Sequence, residues 1–444
     1  MKVIGLILGS HGTPPDTVDP ANPTFKPTLI PSSVKKRIKE NILRALPDGV
    51  DFEFAEITSE SQLFELPEAD IYVASPFQNI HDRWFHILYS HNKPIVIMPL
   101  PLSEIFSYGD VYYPYFIRDT REIDGALHLP HKVFLSKDES DLSLILKALY
   151  VKYRINHTRA LCIGEPMYEP FHSWDWGYAM VRAVQEKFGL TWIQMSSENF
   201  LKYWKTWAQE VDITEIRESA RKIHFSEDEK LRQAMKMYLV LKSIIKEKEA
   251  DAFTINCLAS IILPKLEITP CYALSRLNDE GTVSACEADT TTLLDMLITV
   301  YASNSPGFMA NPYLFPSDDR LLLSHCTSPT LHSYQEKERD EFDFYTYFDS
   351  PTKLGIAPQV LKSPETVTIT GISHNLDRML IIGGKIEANT YFSTCRTQVE
   401  IKVDEDVKQV AENYQGRHWI LVYGDHKEVI KRTNEVLGIE SITP

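Results

Sequence analysis

The sequence predicts an α/β protein: two α/β layers over the first two-thirds of the chain, then a C-terminal, mostly antiparallel β domain. Three observations predict it. Up to about residue 303, short continuous apolar runs alternate with longer amphipathic stretches, as parallel strands do when helices cover both of their faces. Beyond that point β-branched residues alternate or run together in the manner of strands. The 444 residues are 43% hydrophobic and 11% aromatic, which is the composition of a packed core rather than of a disordered tail or a coiled coil.

Taken in order, residues 3–8, 52–57, 71–74, 95–98, 160–163 and 253–255 read as buried strands. A helix is expected from Ser226, where Ser226 and Glu229 have the spacing of a capping box. Leu231, Ala234, Met235, Tyr238, Leu241 and Ile245 then recur at three and four residues, giving that helix one buried stripe. A second helical stretch runs over 287–301, followed by Pro306, Pro312 and Pro316 and by extended segments. Residues 366–370, 380–382, 397–403 and 419–423 read as strands. Gly424 and Asp425 then open a last helix with Val429, Ile430, Thr433 and Leu437 on one face, ended by Gly438. The expected domains are 1–155, 156–303 and 304–444, with no internal repeat.

Charge and cysteine usage restrict the partners. The chain has 46 basic and 61 acidic side chains, a net −15, so neither a nucleic-acid groove nor a polybasic membrane surface is expected. Small neutral ligands suit that balance. The six cysteines form no C-x-x-C pair and no zinc-ribbon spacing, which reads as reduced thiols of a cytoplasmic protein. The apolar run at residues 1–9 meets Ser10 and His11 too soon for a signal peptide, and no run of about 18 apolar residues predicts a membrane span.

The residues with chemistry to offer come from separated places: Glu287, Asp289, His325 and His418. Carboxylate oxygens with imidazole make a ligand set that suits Mn²⁺ or another divalent ion. Glu and Asp at the start of a helix also complement its dipole, so both readings stand on these residues alone. His11, after the first strand, lies where open α/β sheets bind ligands. Trp419 is a candidate pocket wall, whereas Trp174 and Trp176 read as packing anchors. His81, His86 and His91, spaced by five, fit no ligating pattern.

Five segments together resemble the L-fucose and L-arabinose isomerase superfamily, in particular its shorter, L-fucose-isomerase-like branch. They are Leu274-Ser-Arg-Leu-Asn-Asp-Glu-Gly281, Cys286-Glu-Ala-Asp289, Ser324-His-Cys326, Cys395-Arg-Thr-Gln-Val399 and Gly416-Arg-His-Trp-Ile-Leu-Val-Tyr-Gly-Asp425, in order over roughly residues 250–440. The resemblance implies two Rossmann-like layers before the β domain, a homo-oligomer, and a sugar as substrate. It implies aldose–ketose isomerisation of a pentose, a deoxyhexose or a derivative through a metal-bound enediol. Carried over, Asp289 or Glu287 binds the metal together with His418. The expected site therefore has Asp289 and Glu287 as catalytic residues that hold Mn²⁺ with His418, and His325, Trp419, His11 and Asn256 as substrate-binding residues.

One departure tempers this. The family's second catalytic Glu follows a strand some two dozen residues before the acidic motif, and here that place reads Asn256-Cys-Leu-Ala-Ser260. Glu165 or Glu280 is then a substitute base. Two alternatives follow from the same departure: a sugar-binding relative without turnover, or a metal-independent enzyme using Glu287 and Asp289 as an acid/base pair on a glycoside or sugar derivative.

Overall fold

Five parallel strands form the first layer: β1 (Lys2–Gly9), β2 (Asp51–Ile57), β3 (Ile71–Gln78), β4 (Ile95–Ile97) and β5 (Val133–Leu135), in spatial order β2-β1-β3-β4-β5. They are seen in a computed structural model that describes residues 1–9, 32–78, 82–98, 113–126, 131–167, 174–257, 266, 268–348 and 355–444. Val3, Ile7 and Val73 pack on one face with Ile38, Ile42, Leu142 and Leu146, whereas Ile4, Leu6 and Ala74 pack on the other with Trp84, Phe85 and Leu88. Both faces of β1 and β4 are dry, and that is why they read as continuous apolar runs, whereas the edge strand β2 is half-exposed and alternates. The sequence reading passed over β5, which is as short as β4 but ends on the exposed Leu135. The layer belongs to one compact unit, Met1–Tyr153 with Val436–Gly438.

The second unit comprises Arg154–Glu435 and Ile439–Pro444. It opens with a second parallel, Rossmann-like layer built from β6 (Arg159–Ile163), β7 (Thr191–Met195), β9 (Ala252–Ile255) and β10 (Val283–Ala285), in order β10-β9-β6-β7. A small sheet joins β8 (Lys222–Ile223) to β13 (Phe342–Thr346) and β14 (Ile356–Val360). The remaining strands are β11 (Phe308–Phe315), β12 (Arg320–His325), β15 (Thr366–Ile372), β16 (Arg378–Asn389), β17 (Thr397–Val403), β18 (Trp419–Tyr423) and β19 (Glu440–Ile442). Antiparallel pairs run β15-β18-β11-β12-β17-β16 and return from β16 to β15, so this sheet closes into a barrel. Closure leaves no bare edge among those six strands. Phe308, Leu323, Ile369, Ile382, Ile401, Leu421 and Trp419 fill it.

Two helix starts differ from the sequence reading. The helix Asp228–Glu247 buries the expected stripe, but its N-cap is Glu227, and no capping box forms at Ser226. Instead the Glu227 carboxylate accepts from Ser226 N at 3.1 Å and from Lys230 Nζ at 2.9 Å. The helix expected over 287–301 begins only at Thr290 and runs to Ser303. Glu287 and Ala288 lie outside it with left-handed φ of 62° and 53°. Ala288 is tied into the sheet on both sides, its N–H donating to Ile255 O and its carbonyl accepting from Met167 N. Among the described residues no helix is long and apolar enough to cross a membrane.

Candidate metal centre

The site grows out of the carboxyl ends of β9 and β10, which pair with Ala285 opposite Thr254. Past Ala285 the chain needs a turn that brings it back onto the sheet edge, and the left-handed pair Glu287–Ala288 supplies it. Two successive non-glycine residues in that region cost about 1–3 kcal/mol each, strain of the kind that gathers where a side chain must be aimed. Asp289 then caps the following helix: Oδ1 accepts from Thr292 N at 2.9 Å, and Oδ2 from Thr292 Oγ1 at 2.6 Å.

His325, the last residue of β12, and His418, just before β18, come from the barrel to meet Glu287. Each imidazole has its Nδ1 engaged, His325 with Thr327 Oγ1 at 3.0 Å and His418 with Asp289 Oδ2 at 2.9 Å. Both Nε2 atoms therefore face the Glu287 carboxylate, each at 3.7 Å from one of its oxygens, and the rings stand at 87° to one another. A separation of 3.7 Å is too long for a hydrogen bond. An ion about 2.1 Å from each donor holds neighbouring donors roughly 3 to 3.6 Å apart, so one small cation fits the gap. His418 Nε2 and Glu287 Oε2 are buried without a hydrogen-bond partner, the kind of atom whose desolvation a cation offsets. Two imidazoles and a carboxylate suit divalent first-row ions such as Mn²⁺, Fe²⁺ and Zn²⁺.

The electrostatics favour the ionised carboxylates. Burial works to raise the Glu287 pKa, but the facing His325 imidazole, the charge of His418 and Arg417 at 3.9 Å outweigh it and hold the carboxyl down to about 2. Asp289 is likewise lowered: His418 and the two Thr292 donors overcome its burial. Burial pushes the His325 imidazole down, yet Glu287 and the thiols around it raise its pKa overall.

Several expectations are redrawn by this geometry. His325, read as lining the substrate, joins Glu287 and His418 in a cluster whose donor atoms lie within 4.8 Å of one another. Asp289, read as a ligand, sits behind His418 with both oxygens engaged by the helix cap and the imidazole. Trp419 faces away. Successive strand residues point to opposite sides, so with His418 turned to Asp289 the indole enters the barrel core and donates from Nε1 to Gln415 O at 2.8 Å. Asn256 is buried at the carboxyl end of β9, an interior strand, and donates from Nδ2 to Glu165 O at 2.8 Å.

Of the substitute bases, Glu165 is half-buried beyond β6, and Glu280 is held by Tyr238 at 2.5 Å, Lys242 at 2.8 Å and Arg276 at 3.3 Å. His86 packs edge-on against Phe116, and His91 bonds Leu63 O at 2.7 Å. His11, His81, His172 and the indoles of Trp174 and Trp176 lie outside the described residues.

What the sequence reading missed is the company the thiols keep. Cys257, Cys271, Cys286, Cys326 and Cys395 line one hollow that opens on Glu287 and His325. The available signal was adjacency: Cys286 precedes Glu287, and Cys326 follows His325.

No protein-family model matches the chain. Over 221 residues the chain is 22% identical to sulfoquinovose isomerase of Priestia aryabhattai, and it matches that of Priestia megaterium to the same degree. The matched stretch covers 48% of this chain and 48% of each relative. The chain thus spans about half the length of the curated relatives it matches.

Proposed function

We propose that this chain is a divalent-metal-dependent sugar isomerase that interconverts an aldose and a ketose. The observation that carries the reading is the buried Glu287–His325–His418 cluster, with a carboxylate oxygen and an imidazole nitrogen left without partners. The similarity to two sulfoquinovose isomerases supports the superfamily and leaves the sugar open among pentoses, deoxyhexoses and their derivatives. When bound, Mn²⁺ or a similar ion supplies Lewis acidity at the C1 and C2 oxygens of the sugar. The protein's part is to present the donors. Asp289 holds His418 in the tautomer that keeps Nε2 a lone-pair donor, and Thr327 fixes the His325 ring. By the resemblance, the working form is a homo-oligomer, which sedimentation of the purified chain tests.

A second reading has its own observation. Proton transfer between C1 and C2 needs a base within hydrogen-bond reach, and the end of β9 offers Asn256, whose amide is engaged by Glu165 O. On that reading the chain binds a metal and a sugar without turnover. The metal-independent acid/base pair is the weakest of the three, because such a pair needs its two pKa values pushed apart, whereas Glu287 and Asp289 are both pushed down.

The test is elemental analysis after Mn²⁺ loading and desalting, followed by an aldose panel that includes sulfoquinovose. About one ion per chain with an isobaric ketose product is the expected result. One ion with sugar binding but no product favours the second reading, and no ion in a folded protein refutes both. His325→Ala separates the ligand set found here from the one expected of the sequence: it should lower Mn²⁺ retention as severely as His418→Ala.

A further inference from the structure

We propose that Cys257 and Cys286 form a peroxide-oxidisable dithiol whose closure to a disulfide displaces Glu287 and weakens metal binding. The coupling to metal rests on the reading of Glu287 as a ligand; the dithiol itself rests on geometry alone. The two sulfurs lie 3.3 Å apart, at the ends of the neighbouring parallel strands β9 and β10. Both residues are buried, yet both line the hollow that opens on Glu287 and His325. Cys395, the least buried of the six cysteines, lines the same hollow and is the side from which a peroxide would approach.

The reaction removes two electrons from the dithiol and passes them to an oxidant of the peroxide class. One sulfur loses its proton and, as the thiolate, takes an oxygen from the O–O bond; the released proton and the departing hydroxide make one water, and the sulfenate takes up the peroxide's other proton to become a sulfenic acid. The second sulfur displaces the sulfenic oxygen, which leaves as another water with the second thiol's proton, and the S–S bond forms. Overall two S–H bonds and one O–O bond break, and the peroxide is reduced to two waters.

The consequence follows from chain connectivity. A disulfide is about 2.05 Å long, so closure draws the sulfurs together by roughly 1.2 Å. Functional donors tolerate displacements of only about 0.5 Å, and even half of that closure, about 0.6 Å, exceeds this limit. Cys286 has little slack with which to absorb it. Its N–H contacts Met309 Sδ at 3.3 Å, its carbonyl accepts from Asp289 N at 3.3 Å, and the next residue is the left-handed Glu287.

The experiment uses the full chain, reduced, then treated with hydrogen peroxide, alkylated and digested without reductant for mass spectrometry. The expected product is a peptide pair joined through Cys257 and Cys286, with Mn²⁺ affinity reduced at least ten-fold and restored by dithiothreitol. Cys257→Ala should keep the reduced-state affinity within about two-fold and lose the response to peroxide. Absence of that cross-link, or cross-links confined to Cys271, Cys326 and Cys395, overturns the pair. A cross-link with unchanged Mn²⁺ affinity overturns the coupling. Reduced protein that retains no Mn²⁺ refutes the metal reading instead, and the cross-link still decides the dithiol.

Discussion

His418 owes its orientation to one oxygen. Asp289 Oδ2 accepts from Nδ1 at 2.9 Å while the same carboxylate caps the helix Thr290–Ser303. Asp289→Asn leaves one acceptor where two are used, so either the cap or the imidazole loses its partner. Divalent-metal affinity should fall about 10- to 100-fold, as for other residues that orient a ligand, and stability by about 1 kcal/mol; titration calorimetry and thermal unfolding read the two effects separately. Glu287 predicts a pH dependence. Its folded pKa of about 2 lies below the ordinary 4.5, so its contribution to stability is present above 4.5 and is lost as pH falls from there towards 2. Metal-free Glu287→Gln should therefore lose less stability on acidification than the wild-type chain, as denaturant midpoints between pH 5 and 2 would show. The pair Glu287 and Asp289 was legible as acidic residues beside a helix. Their division of labour was not, because it depends on two left-handed φ angles that no spacing rule anticipates.

At the scale of elements, the helix Thr290–Ser303 is buried on nearly every side, and a single acid pins it to the barrel. Asp295 accepts from Thr370 Oγ1 at 2.6 Å, Thr299 Oγ1 at 3.2 Å and Ile372 N at 3.0 Å. Burial drives its pKa up, the three donors pull it part of the way back, and the Asp289 charge adds to the rise, leaving it at about 7. A carboxyl raised in the folded state contributes stability that is complete below its ordinary 3.8 and disappears as pH climbs to about 7. The loss is on the order of 4 kcal/mol at about 1.4 kcal/mol per unit. Asp295→Asn offers the same shape without a charge, and the two threonine hydroxyls can turn to accept from its amide. The variant should match the wild type near pH 4 and exceed it at pH 8; equal pH slopes in denaturant titrations would refute this. The sequence placed a helix here but began it three residues early, because Glu287 and Ala288 suit a helix by composition and are held out of it by bonds to Ile255 and Met167.

For the whole molecule, burial explains legibility only in part. The runs of β1 and β6 are dry on both faces and announce themselves, and β11 carries Pro312 and an exposed outer face, but β12 is buried at five of its six residues and was passed over all the same. β15 and β16 pair as a local hairpin, with Ile372 opposite Met379, whereas the barrel depends on β18 pairing with β11 and β15 and on β12 pairing with β17, long-range pairings with no local signal. The cluster is assembled the same way, with Glu287 from the second layer and His325 and His418 from the barrel, all inside the unit Arg154–Glu435. That location makes metal binding a property of one unit. An ion that binds only the folded state at a hundred times its Kd adds about 2.7 kcal/mol, and a unit of this size gains roughly 2 °C per kcal/mol. Mn²⁺ should therefore raise the transition of this unit by about 5 °C, reversibly with EDTA. Hydrogen exchange should slow around Glu287, His325 and His418 and stay unchanged across Met1–Tyr153. Protection appearing equally in both units would mean that the ion acts through non-specific binding to an acidic surface, and the three-residue site would have to be abandoned.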